Sequence, residues 1–309
     1  MRRLATSTPE RSQITLYISL PWRSLGASTV PLLRRALGED WSSVCTEVTA
    51  EAHLFQEHGV PLAILDDSGV TALEPLARPD LSGGIHFLGD GSLDPALYLH
   101  QLSERVQAQG ARFQTNTAVL GFQTNAQRIT QVVTDRGRFE ADHVVLAAGV
   151  WSRPLAKQLW LNLPVQPARG YSMTLPRPAA GPQRALQLAE RRMAVTPMGS
   201  LLRCTGRLEL SRIHPTVDPR QIVSLQKSLG DYLQGSFAPT PLETWAGLRP
   251  ATPDGLPIIG RAPRLENLVV ATGHGMLGVS LAAVTGQLVA EMVCGRPTAI
   301  DVAPLRVGR

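Results

Sequence analysis

One stretch near the C-terminal end constrains the fold more than any other: a continuous apolar run that ends in a glycine cluster. The run, NLVVAT, covers residues 267–272, and the cluster, GHGMLG, covers residues 273–278. Residues 279–293 then repeat apolar side chains at helical spacing. A short continuous apolar run is typical of a buried strand, and a change of period across a glycine turn indicates that a helix follows. We therefore predict a strand, a glycine loop and a helix, in that order.

The loop has the spacing Gly-X-Gly-X-X-Gly, which also occurs in dinucleotide-binding folds. Such folds need a second strand with an acidic residue about twenty residues further on, whereas here a helix and a proline-containing tail follow. We therefore disfavour an NAD-dependent dehydrogenase. Glycines before a helix still present free N–H groups and a partial positive charge, which suit an electron-rich ligand edge. A tight packing turn is the alternative interpretation.

Two regions of mixed helix and strand pattern flank a β-rich middle part. In the first region, Asp94 and Pro95 predict the start of a helix that ends at Gly110. A strand around 113–120, a hairpin through 128–143 and a buried parallel strand that closes at Gly149 are expected to follow. After Trp151, alternation of apolar and polar residues favours an antiparallel sheet, with one helix over 218–233. The mixed pattern returns at 267–295, as in a discontinuous domain.

Composition narrows the classes of partner. The net charge is +5, but only Lys157 and Lys227 are lysines and the arginines are scattered, so we predict no nucleic-acid partner. Cys45, Cys204 and Cys294 lack a paired metal-ligand spacing, so we predict no metal site. The sequence contains no run of about twenty apolar residues, so we predict no transmembrane segment. Six arginines in the first 35 residues are compatible with a transit peptide, but we favour a terminus without a targeting function.

The passage WAGLRPATPDGLPIIG, residues 245–260, precedes the predicted strand and its glycine loop. Together they resemble the C-terminal signature of the D-amino-acid dehydrogenase and glycine oxidase group, within the FAD-dependent oxidoreductases of the D-amino-acid oxidase (DAO) family. The resemblance covers about 44–295 and includes the segments DGSLDP, HVVLAAGVWS, ARGYSM and AVTPMG. It implies a mixed α/β fold, in which a β-rich antiparallel substrate domain is inserted into an incomplete FAD-binding Rossmann-like domain.

The resemblance also divides the chain into five segments. We assign 1–43 to an atypical N-terminal segment, 44–93 to part of the substrate domain, 94–152 to the middle part of the FAD-binding domain, 153–244 to the antiparallel β-rich substrate domain, and 245–309 to the C-terminal part of the FAD-binding domain.

Roles for individual residues follow from the same resemblance. Arg249 is expected to pair with the substrate carboxylate, for which a planar guanidinium with parallel donors is suited, and Tyr171 to line the substrate pocket. No catalytic base is assigned, because hydride transfer from an uncharged amine requires none. The cofactor contacts are expected at Val119, whose backbone approaches the adenine, at Gly149, and at Gly273, His274, Gly275, Met276, Leu277 and Gly278.

The implied reaction oxidises a D-amino acid to an imino acid, which water converts to a 2-oxo acid and ammonia. FAD accepts the hydride, and a quinone or oxygen then takes the electrons. We expect the protein in the cytoplasm, and peripheral attachment to the inner membrane stays open.

One family feature is missing from the sequence before Asp94: a strand, a Gly-X-Gly-X-X-Gly loop and a helix that bind the FAD pyrophosphate. Because the amides of that loop neutralise phosphate charge, we expect the chain purified alone to hold little FAD. A truncated gene product, a misassigned start and one subunit of a split flavoenzyme all fit this pattern. A non-catalytic remnant is the alternative to an enzyme.

Overall fold

The computed structural model describes residues 15–19 and 52–309. The chain divides into two compact units, each formed by separate stretches of sequence. Unit 1 comprises Met1–Asp94, Tyr171–Arg207 and Thr216–Ala246, and unit 2 comprises Pro95–Gly170, Leu208–Pro215 and Gly247–Arg309.

The elements are numbered in chain order. The strands are β1 (Thr15–Ser19), β2 (Leu62–Leu65), β3 (Gly83–Phe87), β4 (Val119–Asn125), β5 (Arg128–Thr134), β6 (Gly137–Phe139), β7 (Val144–Leu146), β8 (Gln166–Pro176), β9 (Ala185–Leu188), β10 (Met193–Met198), β11 (Leu201–Leu210), β12 (Glu243–Ala251), β13 (Ile258–Arg261) and β14 (Leu268–Thr272). The helices with both ends described are α1 (Asp67–Leu73), α2 (Pro95–Ala108), α3 (Ser152–Lys157), α4 (Pro219–Tyr232) and α5 (Ala282–Val293), with 3-10 turns at Gly149–Trp151 and Ala303–Leu305. Residues 52–57 are also helical.

Strands of unit 1 belong to an eight-stranded sheet with the order β12-β8-β11-β10-β9-β1-β3-β2. Neighbouring strands β10 and β11 pair antiparallel, as the alternating sequence pattern predicts. Met193 and Val195 of β10 lie on the same face and are buried in the core, since successive side chains of a strand point to opposite faces. The predicted helix α4 is confirmed: Asp218 caps it by accepting the Arg220 N–H at 2.9 Å, and Leu225 is among its buried residues.

Unit 2 contains two three-stranded sheets, β13-β14-β7 and β4-β5-β6. All five residues of β14 are buried. Leu268 and Val270 belong to one hydrophobic cluster, whereas Val269 belongs to a second cluster that includes Leu288 of α5. Burial on both faces explains why this strand reads as a continuous apolar run. The predicted parallel pairing of β7 is confirmed, since Val144 lies opposite Leu268.

Two details of the sequence predictions for unit 2 are wrong. The strand expected around 113–120 is β4, which begins only at Val119, because Asn116 adopts a left-handed φ of 53° within a turn. Strand β7 is not fully buried: Val145 is 42% exposed. Within residues 52–309, β7 pairs with β14 alone, so it is an edge strand with an exposed face. The predicted helix α2 and the β5–β6 hairpin are confirmed.

The unit boundaries fall near some of the expected domain boundaries. The chain passes from unit 1 to unit 2 after Asp94 and again after Ala246. Between these points the chain returns to unit 1 after Gly170, and residues 208–215 belong to unit 2. The five predicted segments and their assignment to FAD or substrate stay predictions. Most of the predicted N-terminal segment lies outside the described residues. Among the residues described, no helix has both the length and the apolar composition required to cross a bilayer.

Candidate active site

The glycine loop after β14 has a backbone conformation that requires glycine. Gly273 has a φ of +80°, and a Cβ atom at this position would lie 2.7 Å from the Thr252 methyl carbon. Only glycine therefore fits there without strain. Gly275, with a φ of +54°, donates its N–H to the carbonyl of Pro250 at 2.9 Å. This hydrogen bond fixes the loop against the end of β12.

The predicted order of strand, glycine loop and helix is confirmed, although the helix begins later than expected. Helix α5 starts at Ala282, and the Leu281 N–H donates to the Leu277 carbonyl at 2.9 Å within the preceding turns. Across the described part of the chain, the N–H groups of Ala283 and Val284 make no backbone hydrogen bond. The helix start therefore presents donors and the positive end of its dipole.

A cavity of about 240 Å³ lies beside this loop. The end of β14 is tied to its wall, because the Thr272 hydroxyl donates to the carbonyl of Gly149 at 2.9 Å. Small side chains dominate the lining, so a flat ligand edge can approach the backbone closely. The cavity is lined by Ala147, Gly149, Pro250, Ala271, Thr272, His274, Gly275, Gly278, Ala282 and Thr285.

His274 contributes the imidazole of this cavity. Its Nε2 lies 3.0 Å from the Thr285 hydroxyl oxygen, so the first full turn of α5 fixes the ring. Burial lowers the pKa of His274 below its usual value, because desolvation disfavours the charged ring. The imidazole is therefore neutral near pH 7 and adds no positive charge to the cavity.

Arg249 lies on β12, immediately before Pro250 of the cavity wall. Its guanidinium packs against Gly170 of β8, the neighbouring strand. The side chain of Arg249 makes no hydrogen bond or ion pair with any residue that the structure describes. Burial lowers the pKa of Arg249, yet a guanidinium stays protonated in proteins. A half-buried cation without a protein anion is suited to bind an anionic group of a ligand.

The structure brings together four of the expected cofactor residues, Gly149, His274, Gly275 and Gly278, in one cavity. Gly273 holds the loop beside it. The other expected contacts do not line this cavity: Val119 is on the β4–β5–β6 sheet and 40% exposed, and the side chains of Met276 and Leu277, in the loop itself, are 73% and 55% exposed. Tyr171, expected in the substrate pocket, is 1% exposed in the core of unit 1. The roles of these residues stay predictions.

Four residues of this region were not singled out from the sequence: Gly170, Thr272, Thr285 and Pro250. The position of Thr272 at the end of an apolar strand was a usable signal, because a hydroxyl there must find a partner. Gly170 gave no local signal, since its contact is with Arg249, far along the chain. Thr285 contacts His274 across the loop and the start of α5, which no local pattern marks. Within 15–19 and 52–309, no group of three His, Cys, Asp or Glu side chains is placed to hold a metal ion.

Sequence comparison finds a known family over most of the chain. The family described as FAD dependent oxidoreductase (DAO) matches residues 24–292. The D-amino acid dehydrogenase of Bradyrhizobium diazoefficiens is 34% identical over 261 residues, which are 83% of this chain and 62% of the relative. The D-amino acid dehydrogenase of Cereibacter sphaeroides is 35% identical over 264 residues, 84% of this chain and 60% of the relative. The chain thus spans about three fifths of the length of these relatives.

Solved structures share the fold. Glycine oxidase from Geobacillus kaustophilus superposes with a TM-score of 0.81 at 23% identity, covering 96% of this chain and 75% of the other. L-proline dehydrogenase from P. horikoshii gives a TM-score of 0.72 at 18% identity, covering 93% and 74%. The predicted mixed α/β architecture with antiparallel sheets is therefore confirmed.

Proposed function

The chain belongs to the DAO family of FAD-dependent oxidoreductases, and on that premise we propose that it oxidises a D-amino acid to a 2-oxo acid and ammonia. The handedness of the substrate is taken from relatives of 34% and 35% identity that are named D-amino acid dehydrogenases. The electrons leave to a quinone or to oxygen. The site of action is the cytoplasm, where peripheral attachment to the inner membrane would give access to a quinone.

The observation that carries this proposal is the guanidinium of Arg249. It is half-buried and contacts no anion among the described residues, so no carboxylate of the described chain balances its positive charge. A carboxylate can accept two parallel N–H bonds from a guanidinium, which compensates the charge and fixes the orientation of the ligand. An α-amino acid held in this way has its α-carbon and amine at a defined distance from Arg249.

The residues around the glycine loop fit one edge of FAD. Small and glycine residues leave room for a flat ring, and the free amides at the start of α5 suit a ring edge that gains negative charge. At about 240 Å³ the cavity takes the edge of a ring and not the whole cofactor, since sites for drug-sized ligands measure about 300–1,000 Å³. When bound, FAD supplies the hydride acceptor for the α C–H bond. Little FAD in the chain purified alone stays a prediction.

His274 acts in this proposal through its shape and its neutrality. Its ring is held by Thr285 at 3.0 Å, and the lowered pKa keeps it uncharged at neutral pH. A charged imidazole would compete with Arg249 for an anionic ligand, whereas a neutral one offers a hydrogen bond without attracting the carboxylate. The amine loses its proton before the hydride leaves, and no side chain is assigned to accept that proton.

The experiment is steady-state formation of 2-oxo acid from D-alanine, with excess FAD and an artificial electron acceptor, in wild type and Arg249→Lys. Lysine keeps the charge but loses the paired donors, and one charge-assisted hydrogen bond is worth about 1.5–3 kcal/mol. We therefore expect KM to rise about tenfold to a hundredfold while kcat changes little. Arg264→Lys, at an exposed arginine of the same unit, is the matched control. An unchanged KM in Arg249→Lys, or no product from wild type under conditions in which it holds FAD, would contradict the proposal.

A further inference from the structure

Gly170 lies directly beneath the side chain of Arg249. A Cβ atom placed on Gly170 would be 1.5 Å from Nη1 of Arg249, 2.6 Å from Cζ and 2.9 Å from Nη2. These three atoms are the end of the guanidinium that carries its paired terminal donors. The guanidinium therefore occupies the volume in which any other residue at position 170 would place its side chain.

The backbone does not explain why glycine stands at this position. Gly170 is within β8 and is not among the glycines with a left-handed φ, unlike Gly273 with a φ of +80°. Alanine can adopt this strand conformation, and glycine inside a strand is less favourable than alanine because it loses more conformational freedom on folding. A glycine in a strand often marks a close approach by another group. Here the approaching group is the side chain of Arg249.

We propose that Gly170 is a positioning residue for Arg249 and thereby determines how tightly the site binds a carboxylate. This inference rests on the proposed carboxylate-binding role of Arg249. No hydrogen bond from the described residues holds the guanidinium, so packing over Gly170 is the contact that locates its donors. A side chain at position 170 would push the guanidinium away from the sheet and move the paired donors out of register with the ligand.

The test is Gly170→Ala in the full chain, with calorimetric titration by propionate, a carboxylate without an amine, and by D-alanine. The displaced atoms are at the end of a flexible side chain, so we expect the Tm to be no lower than that of wild type. We expect affinity for both ligands to fall at least about tenfold, because a displaced guanidinium loses one or both of its charge-assisted bonds. Wild-type affinity in Gly170→Ala would overturn the inference.

Gly260→Ala is the matched control, because Gly260 also lies in a strand of unit 2. A Cβ atom there would be 3.5 Å from the Arg306 Cα and 3.6 Å from the Val307 nitrogen, which are ordinary contacts. Its affinity for propionate should equal that of wild type. If Gly170→Ala instead lowers the Tm, adding Arg249→Ala should restore it, since the clash is with Arg249. A Tm loss that persists in the double variant would overturn the inference.

A double-mutant cycle separates this inference from the proposed function. If Gly170 acts only through the guanidinium, adding Gly170→Ala to Arg249→Lys should change propionate affinity less than about twofold. Equal affinity in wild type and Arg249→Lys would remove the carboxylate role itself. Two results together would refute the positioning role without contradicting the proposed function. They are weak propionate binding by Arg249→Lys, and an equal loss of affinity from Gly170→Ala in wild type and in Arg249→Lys.

Discussion

Replacing Asn267 by alanine should destabilise unit 2, because this side chain joins its two sheets. The amide oxygen of Asn267 accepts the Ile129 N–H at 2.9 Å, and its amide nitrogen donates to the Ile129 carbonyl at 2.9 Å. Asn267 thus pairs with the backbone of β5 in the way that another strand would. It also immediately precedes β14, which leads to the glycine loop.

The magnitude follows from burial at both ends of the contact. Asn267 is 1% exposed and Ile129 is 2% exposed, so water cannot replace the lost partners. Each buried polar group left without a partner costs about 1–3 kcal/mol. The two bonds share one side chain and are not independent, so we expect the free energy of unfolding to fall by about 2–5 kcal/mol.

Urea denaturation and hydrogen exchange at the Ile129 amide measure this effect together. The amide should be protected in wild type and should exchange much faster in Asn267→Ala, because its acceptor is gone. Asn162→Ala, at an exposed asparagine of the same unit, is the control and should change stability by less than about 0.5 kcal/mol. A loss below about 1 kcal/mol in Asn267→Ala, with the Ile129 amide still protected, would show that Asn267 does not hold the two sheets together.

Three further predictions concern titratable groups. Because folding lowers the pKa of His274, the unfolded chain binds more protons than the folded chain below about pH 6.5, and the free energy of unfolding falls as the pH drops through that value. In urea titrations, the free energy of unfolding of His274→Gln should therefore fall less between about pH 7.5 and 5.5 than that of wild type. Hydrogen bonding by Arg309 lowers the pKa of Asp254, so its stabilising contribution is present above about pH 3.9 and is lost as the pH falls through the lowered value. In Arg309→Gln an NMR titration should show the Asp254 pKa closer to its ordinary value, and an unchanged pKa would refute this. Burial raises the pKa of Cys204 to about 12, so mass spectrometry after brief alkylation of the native protein should find the exposed Cys294 modified and Cys204 intact; equal modification would contradict this.

The elements that could be predicted from the sequence are those with a local physical cause. The continuous apolar run before Gly273 predicts a buried strand, and this strand has a cluster on each face. Asp218 and Pro219 predict the start of α4, because a side-chain acceptor and a fixed φ favour a helix there. The start of α5 at Ala282 could not be predicted as well, because the turns after Gly278 also have apolar residues at helical spacing.

The rest of the site depends on contacts between residues far apart in the chain. Asn267 and Ile129 are 138 positions apart, and no local sequence pattern predicts that the Asn267 side chain hydrogen-bonds to the backbone of β5. Gly170 and Arg249 meet only because β8 and β12 are neighbours. The resemblance to a family suggested Arg249, but neither composition nor spacing showed that its guanidinium lacks a protein partner.

The proposed function is tested most directly by asking whether a D-amino acid reduces flavin on this protein through a site that contains Arg249. Wild-type protein in excess FAD is titrated without oxygen with D-alanine, and the flavin absorbance is recorded. We expect the absorbance to fall with D-alanine and not with L-alanine, and Arg249→Lys to need at least about tenfold more D-alanine for the same change. Equal responses in wild type and Arg249→Lys, or no change with D-alanine in wild type that holds FAD, would contradict the proposed function.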